Sequence, residues 1–172
     1  DLLRLTRLDS GAVEPAVCVA VKPVLERAAR MLQPVARQRE VELTCRADEA
    51  AAVRATEGDV HQILYNLMEN GVKYTAPGGF VHTSVSVEEG RVVIAVSDNG
   101  IGIPVEDMPH IFERFYRVDK ARSRQIGGTG LGLSIVGDTV QRRGGEIGVA
   151  PREGGGTVFT VSFPQAELEV TA

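Results

Sequence analysis

Alternation of apolar and polar residues predicts strands, most clearly in the second half of the chain. Residues 91–98 alternate strictly, so that Val92, Ile94 and Val96 share one face. Residues 80–87 alternate in the same way, and a short polar turn joins the two segments as neighbouring strands. Further strands are predicted at 16–21, 41–46, 146–150 and 157–163.

Apolar residues spaced three or four positions apart predict helices elsewhere. A long helix runs from about residue 57 to residue 74, with Thr56 and Asp59 placed as a capping pair. Residues 105–127 carry both signs of charge and show little regular pattern. The order of elements predicts an α/β (α+β) two-layer sandwich, in which a mixed sheet carries helices on one face. Other helices are predicted at 1–9, 23–40 (kinked at Pro34) and 131–143.

Composition narrows the range of functions. A length of 172 residues suits one domain with a proper core, and a net charge of −4 gives no general attraction to nucleic acid or anionic membranes. No apolar run approaches the roughly 20 residues that span a bilayer, and the start does not resemble a signal peptide. Cys18 and Cys45 lack metal-ligand spacing and are expected to be reduced core residues of a cytosolic protein, although a disulfide between them stays open.

A carboxylate ends the clearest strand. The period of two places Asp98 on the apolar face of residues 91–98, where an unpaired charge would be costly to bury. No cation adjoins it in the sequence. Instead Gly100 and Gly102 follow, and they allow a sharp turn and close approach to a ligand. This pattern predicts a ligand site, and a simple Asx turn is the alternative.

The long helix carries an unusual polar stripe. Asn66, Asn70 and Lys73 lie together beside its apolar stripe, with Tyr74 at the border. Asparagine is unfavourable inside a helix because its side chain competes for backbone hydrogen bonds. An amide oxygen can ligate Mg²⁺ and a lysine can pair with phosphate, so a magnesium–phosphate site is one interpretation. A solvated helix flank is the other.

Two glycine-rich loops and a long connection complete the candidate chemistry. Residues 127–132 enter a helix directly, where free N–H groups bind phosphate, or else they form a hinge or a close helix–sheet contact. Residues 154–156 precede the inward-facing Thr157, and a tight hairpin turn is the alternative there. The connection at 111–124 combines phenylalanines with cations, which is typical of a lid, although a charged solvent loop remains possible.

In their order and spacing, these segments resemble the ATP-binding catalytic domain of sensor histidine kinases. The resemblance covers about residues 15–164 and implies a Bergerat-type α/β sandwich with a mobile lid. It also implies that 1–11 end the dimerisation and phosphoacceptor helix, that 12–164 form the catalytic domain and that 165–172 are a tail. The matching boxes are Asn66–Thr75 (N), Asp98–Gly102 (G1), Phe112–Arg117 (F), Gly128–Leu133 (G2) and Gly154–Thr157 (G3).

The resemblance implies ATP and Mg²⁺ as ligands. Asp98 would accept a hydrogen bond from the adenine amino group, Tyr74 would pack on the adenine, and Asn70 would ligate Mg²⁺. Asn66, Lys73 and Arg117 would serve catalysis near the phosphates. The implied nucleotide-binding set is Asn66, Asn70, Lys73, Tyr74, Asp98, Gly100, Gly102, Ile103, Arg114, Arg117, Gly128, Thr129, Gly130, Leu131, Gly132 and Thr157.

One position departs from the family motif. Gly71 stands where the family most often has alanine, and glycine destabilises a helix interior by up to about 1 kcal/mol. The departure affects the local rigidity of the helix and removes none of the implied roles.

Asn66 bears on the type of reaction. Gyrase B subunits, mismatch-repair ATPases and heat-shock chaperones carry a glutamate four residues before the metal asparagine, where it is the general base for water. An asparagine cannot accept a proton, so the site suits transfer to another nucleophile better than hydrolysis. His61, His82 and His110 all lack the context of a phosphoacceptor.

We therefore expect transfer of the γ-phosphoryl group from Mg-ATP to a histidine of a dimerisation domain missing from this chain, and from there to a response regulator. A catalytically silent nucleotide-binding module is one alternative, although its expected erosion of the boxes is not seen. A related Bergerat-fold ATPase or serine kinase is another, against which Asn66 argues. The fragment is expected to be a cytoplasmic monomer that contacts neither nucleic acid nor membrane.

Overall fold

The computed structural model describes residues 14–116 and 132–167. Within these ranges the chain forms seven strands, three α-helices and a short 3-10 helix. In chain order they are β1 (Val17–Ala20), α1 (Val21–Gln38), β2 (Glu42–Ala47), β3 (Ala52–Ala55), α2 (Glu57–Lys73), β4 (Phe80–Glu88), β5 (Arg91–Asp98), the 3-10 helix (Val105–His110), α3 (Gly132–Arg142), β6 (Glu146–Pro151) and β7 (Thr157–Pro164).

Five strands form the main sheet, in the order β2-β4-β5-β7-β6. β2 runs parallel to β4 and the other neighbours are antiparallel, so the predicted mixed sheet is confirmed. β1 and β3 form a separate antiparallel pair. The register places Val81, Asp98 and Thr157 side by side at one end of the main sheet.

The helices cover one face of the sheet, as predicted. α2 packs on β4 and β5, and both α1 and α3 pack against α2. The core between these layers is mainly apolar, and burial of each large side chain contributes about 1.5–3 kcal/mol. Its largest members are Phe159, Phe163, Leu25, Leu32, Ile63, Leu64, Leu67, Met68 and Ile94.

The start of α2 is fixed by a capping box and a buried ion pair. Thr56 Oγ1 accepts a bond from the Asp59 N–H (3.0 Å), and Asp59 Oδ2 accepts one from the Thr56 N–H (3.3 Å). The same oxygen lies 2.7 Å from Arg143 Nε, just beyond α3, and both side chains are almost fully buried. The predicted capping pair is thus confirmed, and it also ties α2 to the end of α3.

Several sequence-based expectations need correction. β3 was not predicted, because four residues of which two are alanine carry too little alternation to be recognised. The 3-10 helix lies in a segment expected to be irregular. The expected tail at 165–172 is bound to the rest of the domain at its start, because the N–H groups of Gln165 and Ala166 donate to Gly90 O (2.9 Å) and Ala52 O (2.8 Å).

The two cysteines are free, as expected, but they are not core residues. Cys18 is half-buried on β1, and Cys45 is exposed although it shares a face of β2 with buried Leu43. None of the helices in the described ranges is long and apolar enough to cross a membrane. Residues 1–13, 117–131 and 168–172, which include the predicted first helix and part of the predicted lid, lie outside the described residues.

Candidate functional site

The site is built around the buried carboxylate of Asp98. Its side chain faces the core as predicted, and the residue is only 4% exposed. The Gly100 N–H donates to Oδ1 (2.9 Å), and the Thr157 N–H also donates to the carboxylate. Burial raises the pKa of the Asp98 carboxyl, while these two N–H groups and the positive charge of Arg152 act in the opposite direction.

The Asx turn considered as an alternative role for Asp98 is therefore present, since Gly100 is the residue two positions on. The turn uses Oδ1, whereas Oδ2 points toward α2. A Cβ atom placed on Gly71 would lie 3.7 Å from that oxygen and 3.1 Å from both methyl groups of Val81. An alanine at position 71 would press against Val81, so glycine lets α2 and β4 approach closely beside the carboxylate.

Glycines also allow the two loops beside Asp98 to pack tightly. A Cβ on Gly100 would lie 2.3 Å from Tyr74 O, the same carbonyl that accepts the Ile101 N–H (3.1 Å). A Cβ on Gly156 would lie 1.9 Å from Asp98 O, and its φ of +105° disfavours any other residue. The end of α2, the loop after β5 and the loop before β7 thus meet around one carboxylate.

The polar stripe of α2 continues away from Asp98. Asn66 is buried, and its Nδ2 donates to Gln62 O (2.9 Å). A Cβ on Gly132 would lie 3.4 Å from Asn66 Oδ1, so the structure brings the first residue of α3 beside the stripe. Asn70 is half-buried. Asn66 of the N box and Gly132 of the G2 box therefore lie side by side.

Two cations of the predicted nucleotide-binding set are paired with carboxylates. Lys73 Nζ lies 3.5 Å from Glu69 Oε1, one turn earlier on α2. Arg114 Nη2 lies 3.7 Å from Asp138 Oδ2 on α3. Both pairs are partly exposed, so each contributes little stability and can exchange its carboxylate for another anion.

The F box is anchored at one of its two phenylalanines. Phe112 packs edge-to-face on Phe159, with ring centroids 6.2 Å apart, whereas Phe115 is exposed and has a φ of +64°. The Tyr116 hydroxyl donates to the Asp107 carboxylate, and this bond raises the pKa of the phenol. This part of the connection is therefore anchored to the core through Phe112, while Phe115 is open to solvent.

The remaining predicted site residues are placed as follows. Gly102 has a φ of +74° and faces Gly156 O across the loops, while Ile103 is half-buried against the core. Tyr74 caps the end of α2 beside Gly100. Arg117 and the residues 128–131 lie outside the described residues, so their roles stay predictions.

Two neighbours of Asp98 were missed by sequence reasoning. The guanidinium carbon of Arg152 lies 4.8 Å from the ring centroid of Phe80. Its positive charge favours the ionised form of Asp98. Thr75 is buried, and its Oγ1 would lie 3.0 Å from a Cβ on Gly100. Arg152 stands two residues before a glycine cluster, but its partner lies on a strand 72 positions away in a register that the sequence does not reveal.

The sequence that forms this site matches the sequence model of a known protein family. The model described as histidine kinase-, DNA gyrase B-, and HSP90-like ATPase matches residues 55–167, from the end of β3 past β7. The chain belongs to this family. All the described site residues fall inside the match, so the buried carboxylate, the α2 stripe and the glycine loops are parts of an ATPase-family domain.

Sequence relatives of this ATPase-family chain are sensor kinases. It is 45% identical over 122 residues to the sensor histidine kinase WalK of Bacillus subtilis, covering 70% of this chain and 20% of that protein. It is 36% identical over 166 residues to the sensor-like histidine kinase SenX3 of Mycolicibacterium smegmatis, covering 96% and 43%. The chain therefore spans less than half the length of these relatives.

Solved structures of histidine kinases share the fold. Full-length ShkA, solved in complex with AMPPNP, matches with a TM-score of 0.83 and 31% identity over 98% of this chain and 35% of that one. The mycobacterial sensor histidine kinase MprB matches with a TM-score of 0.74 and 26% identity over 89% and 99%. The predicted two-layer α/β sandwich is confirmed by these likenesses.

Proposed function

We propose that this chain is the ATP-binding catalytic domain of a sensor histidine kinase, acting in the cytoplasm. It transfers the γ-phosphoryl group of Mg-ATP to a histidine of the kinase's own dimerisation domain. The observation that carries the proposal is the buried Asp98 carboxylate, held by two backbone N–H groups at the end of β5 in a chain similar to sensor histidine kinases.

Asp98 recognises the base. When ionised it can only accept hydrogen bonds, so it suits the exocyclic amino group of adenine and repels the carbonyl oxygen of guanine. Gly71 places no side chain of its own beside Oδ2, where a Cβ would lie 3.7 Å away. Tyr74 borders this space and offers an aromatic face to the base. The backbone N–H groups of Gly100 and Thr157 hold the carboxylate in place, so it does not have to move when the base binds.

The phosphates lie along the polar stripe of α2. Asn70 supplies an amide oxygen for Mg²⁺, a neutral ligand of the kind that this ion accepts alongside phosphate oxygens and water. The rest of the Mg²⁺ coordination comes from phosphate oxygens and water in this proposal. When bound, Mg²⁺ neutralises charge on the phosphate oxygens.

Cations complete the part of the proposed site that binds the phosphates, called the phosphate end below. Lys73 and Arg114 exchange their carboxylate partners for phosphate oxygens, a change made easy by their exposure. Arg117 approaches the γ-phosphate from the lid, and residues 128–132 cradle the phosphates with backbone N–H groups. These groups position the γ-phosphoryl group and stabilise the charge that develops during transfer.

The chemistry is transfer and not hydrolysis, because Asn66 provides no general base. Its Nδ2 is bonded to Gln62 O, and its amide oxygen cannot take a proton from water at neutral pH. The acceptor is a histidine of the dimerisation domain. Within this chain, His82 Nδ1 is bonded to Thr44 and His110 Nδ1 to Glu113, each at 2.7 Å. The phosphohistidine then donates to an aspartate of a response regulator.

Calorimetric titration of the chain with Mg-ATP tests the base site. Asp98→Asn should weaken binding by about 1.5–3 kcal/mol, roughly 10- to 100-fold, because it removes a charged acceptor. Asp48→Asn is the matched control, since Asp48 Oδ1 also accepts an N–H two residues on, from Ala50 at 2.8 Å, but on a distant turn. Equal affinities of wild type and Asp98→Asn would contradict the proposed site.

Phosphoryl transfer is tested by adding a separate dimerisation domain from a related kinase. Labelled γ-phosphate should appear on its histidine when this chain and Mg-ATP are present, and it should be lost with a His→Ala acceptor. The chain alone should hydrolyse ATP slowly. Rapid steady hydrolysis without an acceptor would instead support an ATPase and refute the argument from Asn66.

A further inference from the structure

The turn between β6 and β7 is closed by one arginine. The Arg152 N–H donates to Gly156 O (3.0 Å), and the Gly155 N–H donates back to Arg152 O (3.0 Å). The side chain adds a third bond, from Nη1 to Gly155 O (2.9 Å). A loop containing three consecutive glycines would otherwise be highly flexible, so these bonds define its conformation.

This glycine loop, residues 154–156, packs against the end of β5. Gly156 packs so closely on Asp98 O that no Cβ would fit, and a Cβ there would also lie only 2.7 Å from the Cα of Asn99. The guanidinium of Arg152 reaches farther, to the ring of Phe80 on β4. In the sheet order, β5 and β7 lie between β4 and β6, so the turn and its arginine together cross the ends of two strands.

Phe80 is itself tied to the residue after Asp98. Its N–H donates to Asn99 Oδ1 (2.7 Å), and the Asn99 N–H lies 3.4 Å from Phe80 O. The Arg152–Phe80 contact therefore connects the glycine loop to Asn99, the residue that follows Asp98. The alternation of β4 places the Phe80 ring on the opposite face from buried Val81, so Arg152 approaches from behind the base site.

We propose that Arg152 is a positioning residue for nucleotide recognition: it ties the glycine loop to Phe80 and thereby holds Thr157 and Asp98 in register for the base. This inference rests on the proposed function, because it assigns the base to Asp98. Arg152 acts through the loop and does not touch the nucleotide. Its positive charge also favours the ionised form of Asp98, which is the form that accepts a bond from an amino group.

The test compares Mg-ATP affinity across a range of pH for the wild type, Arg152→Ala and Arg152→Lys. Arg152→Ala should bind about tenfold more weakly, and the acid midpoint of binding should move to higher pH because Asp98 loses a nearby positive charge. Arg152→Lys keeps a cation that can lie over the Phe80 ring, so it should restore the midpoint and part of the affinity. A purely structural role of Arg152 would not move the midpoint.

Arg91→Ala is the matched control, because Arg91 bonds Ser162 Oγ (3.1 Å) at the opposite end of β5. It should bind like the wild type. If Arg152→Ala does not fold, Arg152→Gln replaces it in the same measurements. The proposal is overturned if the neutral variant binds within twofold of the wild type with an unchanged midpoint. Failure of the wild type to bind Mg-ATP would instead overturn the proposed function, and this inference with it.

Discussion

Asp98, at the base end of the proposed site, is 4% exposed and bonded by backbone N–H groups, whereas the cations at the phosphate end are open to solvent. Lys73 and Arg114 have side chains that are 32% and 43% exposed, and each is paired with a carboxylate. The base end is thus held by backbone groups whose positions are fixed by the register of the sheet. The other is made of long side chains whose partners can be exchanged.

The two ends are therefore expected to contribute to the free energy of nucleotide binding in different ways. The base end is preorganised, so it can discriminate between bases at little entropic cost. The phosphate end must release Glu69 and Asp138 before it engages the ligand, so its net gain is smaller than its charges suggest. The same openness lets its cations follow a phosphoryl group that moves during transfer.

The largest effect is expected where the base end depends on close backbone contact. Gly156→Ala should lower the free energy of unfolding by about 3 kcal/mol or more, because overpacking and a positive φ both act against it. The added Cβ would lie 1.9 Å from Asp98 O, and the φ is +105°. Denaturant unfolding of the two proteins measures the difference.

Gly155→Ala separates these two causes. Gly155 has a φ of +112°, but a Cβ there would meet no atom within 4 Å. Only the backbone strain remains, so a loss of about 1–2 kcal/mol is expected. Equal losses for the two variants would show that conformational strain, and not contact with Asp98, determines the requirement for glycine.

The second prediction concerns pH, which should change the stability of the folded chain and its affinity for Mg-ATP in opposite directions. The folded pKa of Asp98 is raised by burial, so between the ordinary carboxyl value of about 3.9 and the raised value the folded protein holds a proton that the unfolded chain has lost. Stability therefore falls as pH rises through this window and is constant above it. Mg-ATP affinity rises through the same window, by at most about tenfold per pH unit, because binding needs the ionised carboxylate.

Thermal unfolding and titration calorimetry between pH 4 and pH 8 test both signs, each measured relative to Asp98→Asn. The variant corrects for titration of the nucleotide and of the other carboxyl groups. The stability of the wild type relative to the variant should decrease with pH while its relative affinity increases. Parallel changes in the two quantities would mean that Asp98 does not bind the base in its ionised form.

Local pattern was enough to predict much of the base end. The period of two in β5 indicated that Asp98 faces inward, and the spacing of apolar residues gave α2 and its polar stripe. The contact of Gly71 with Val81 and that of Arg152 with Phe80 could not be predicted in this way. Both depend on how α2 and the β6–β7 turn are placed on β4, which is set by packing between segments distant in sequence.

The ion pairs at the proposed phosphate end could be predicted only in part. The spacing of Glu69 and Lys73 is compatible with an i,i+4 pair, whereas nothing in the sequence indicated that Asp138 would pair with Arg114, which the resemblance assigns to the nucleotide-binding set. A pair at i and i+4 is compatible with any exposed helix, and the Arg114–Asp138 pair joins two elements whose arrangement is known only from the fold.

The smallest expected effect tests whether the carboxylates at the phosphate end compete with the ligand. Glu69→Gln should increase Mg-ATP affinity about twofold, because Lys73 then no longer exchanges a carboxylate for a phosphate. Glutamine keeps an oxygen for the Tyr65 hydroxyl, which also bonds Glu69. Adenosine has no phosphate, so its affinity should not change. Both ligands are measured by calorimetry at low and high salt.

Glu57→Gln is the matched control, since Glu57 Oε2 lies 3.9 Å from Arg27 Nη1 at the other end of α2. It removes the same charge from the same helix and should leave both affinities unchanged. The gain from Glu69→Gln should also shrink with added salt, because an exposed pair is screened. A loss of affinity would show that Glu69 orients Lys73 toward the phosphates, and the phosphate end would then be preorganised as well.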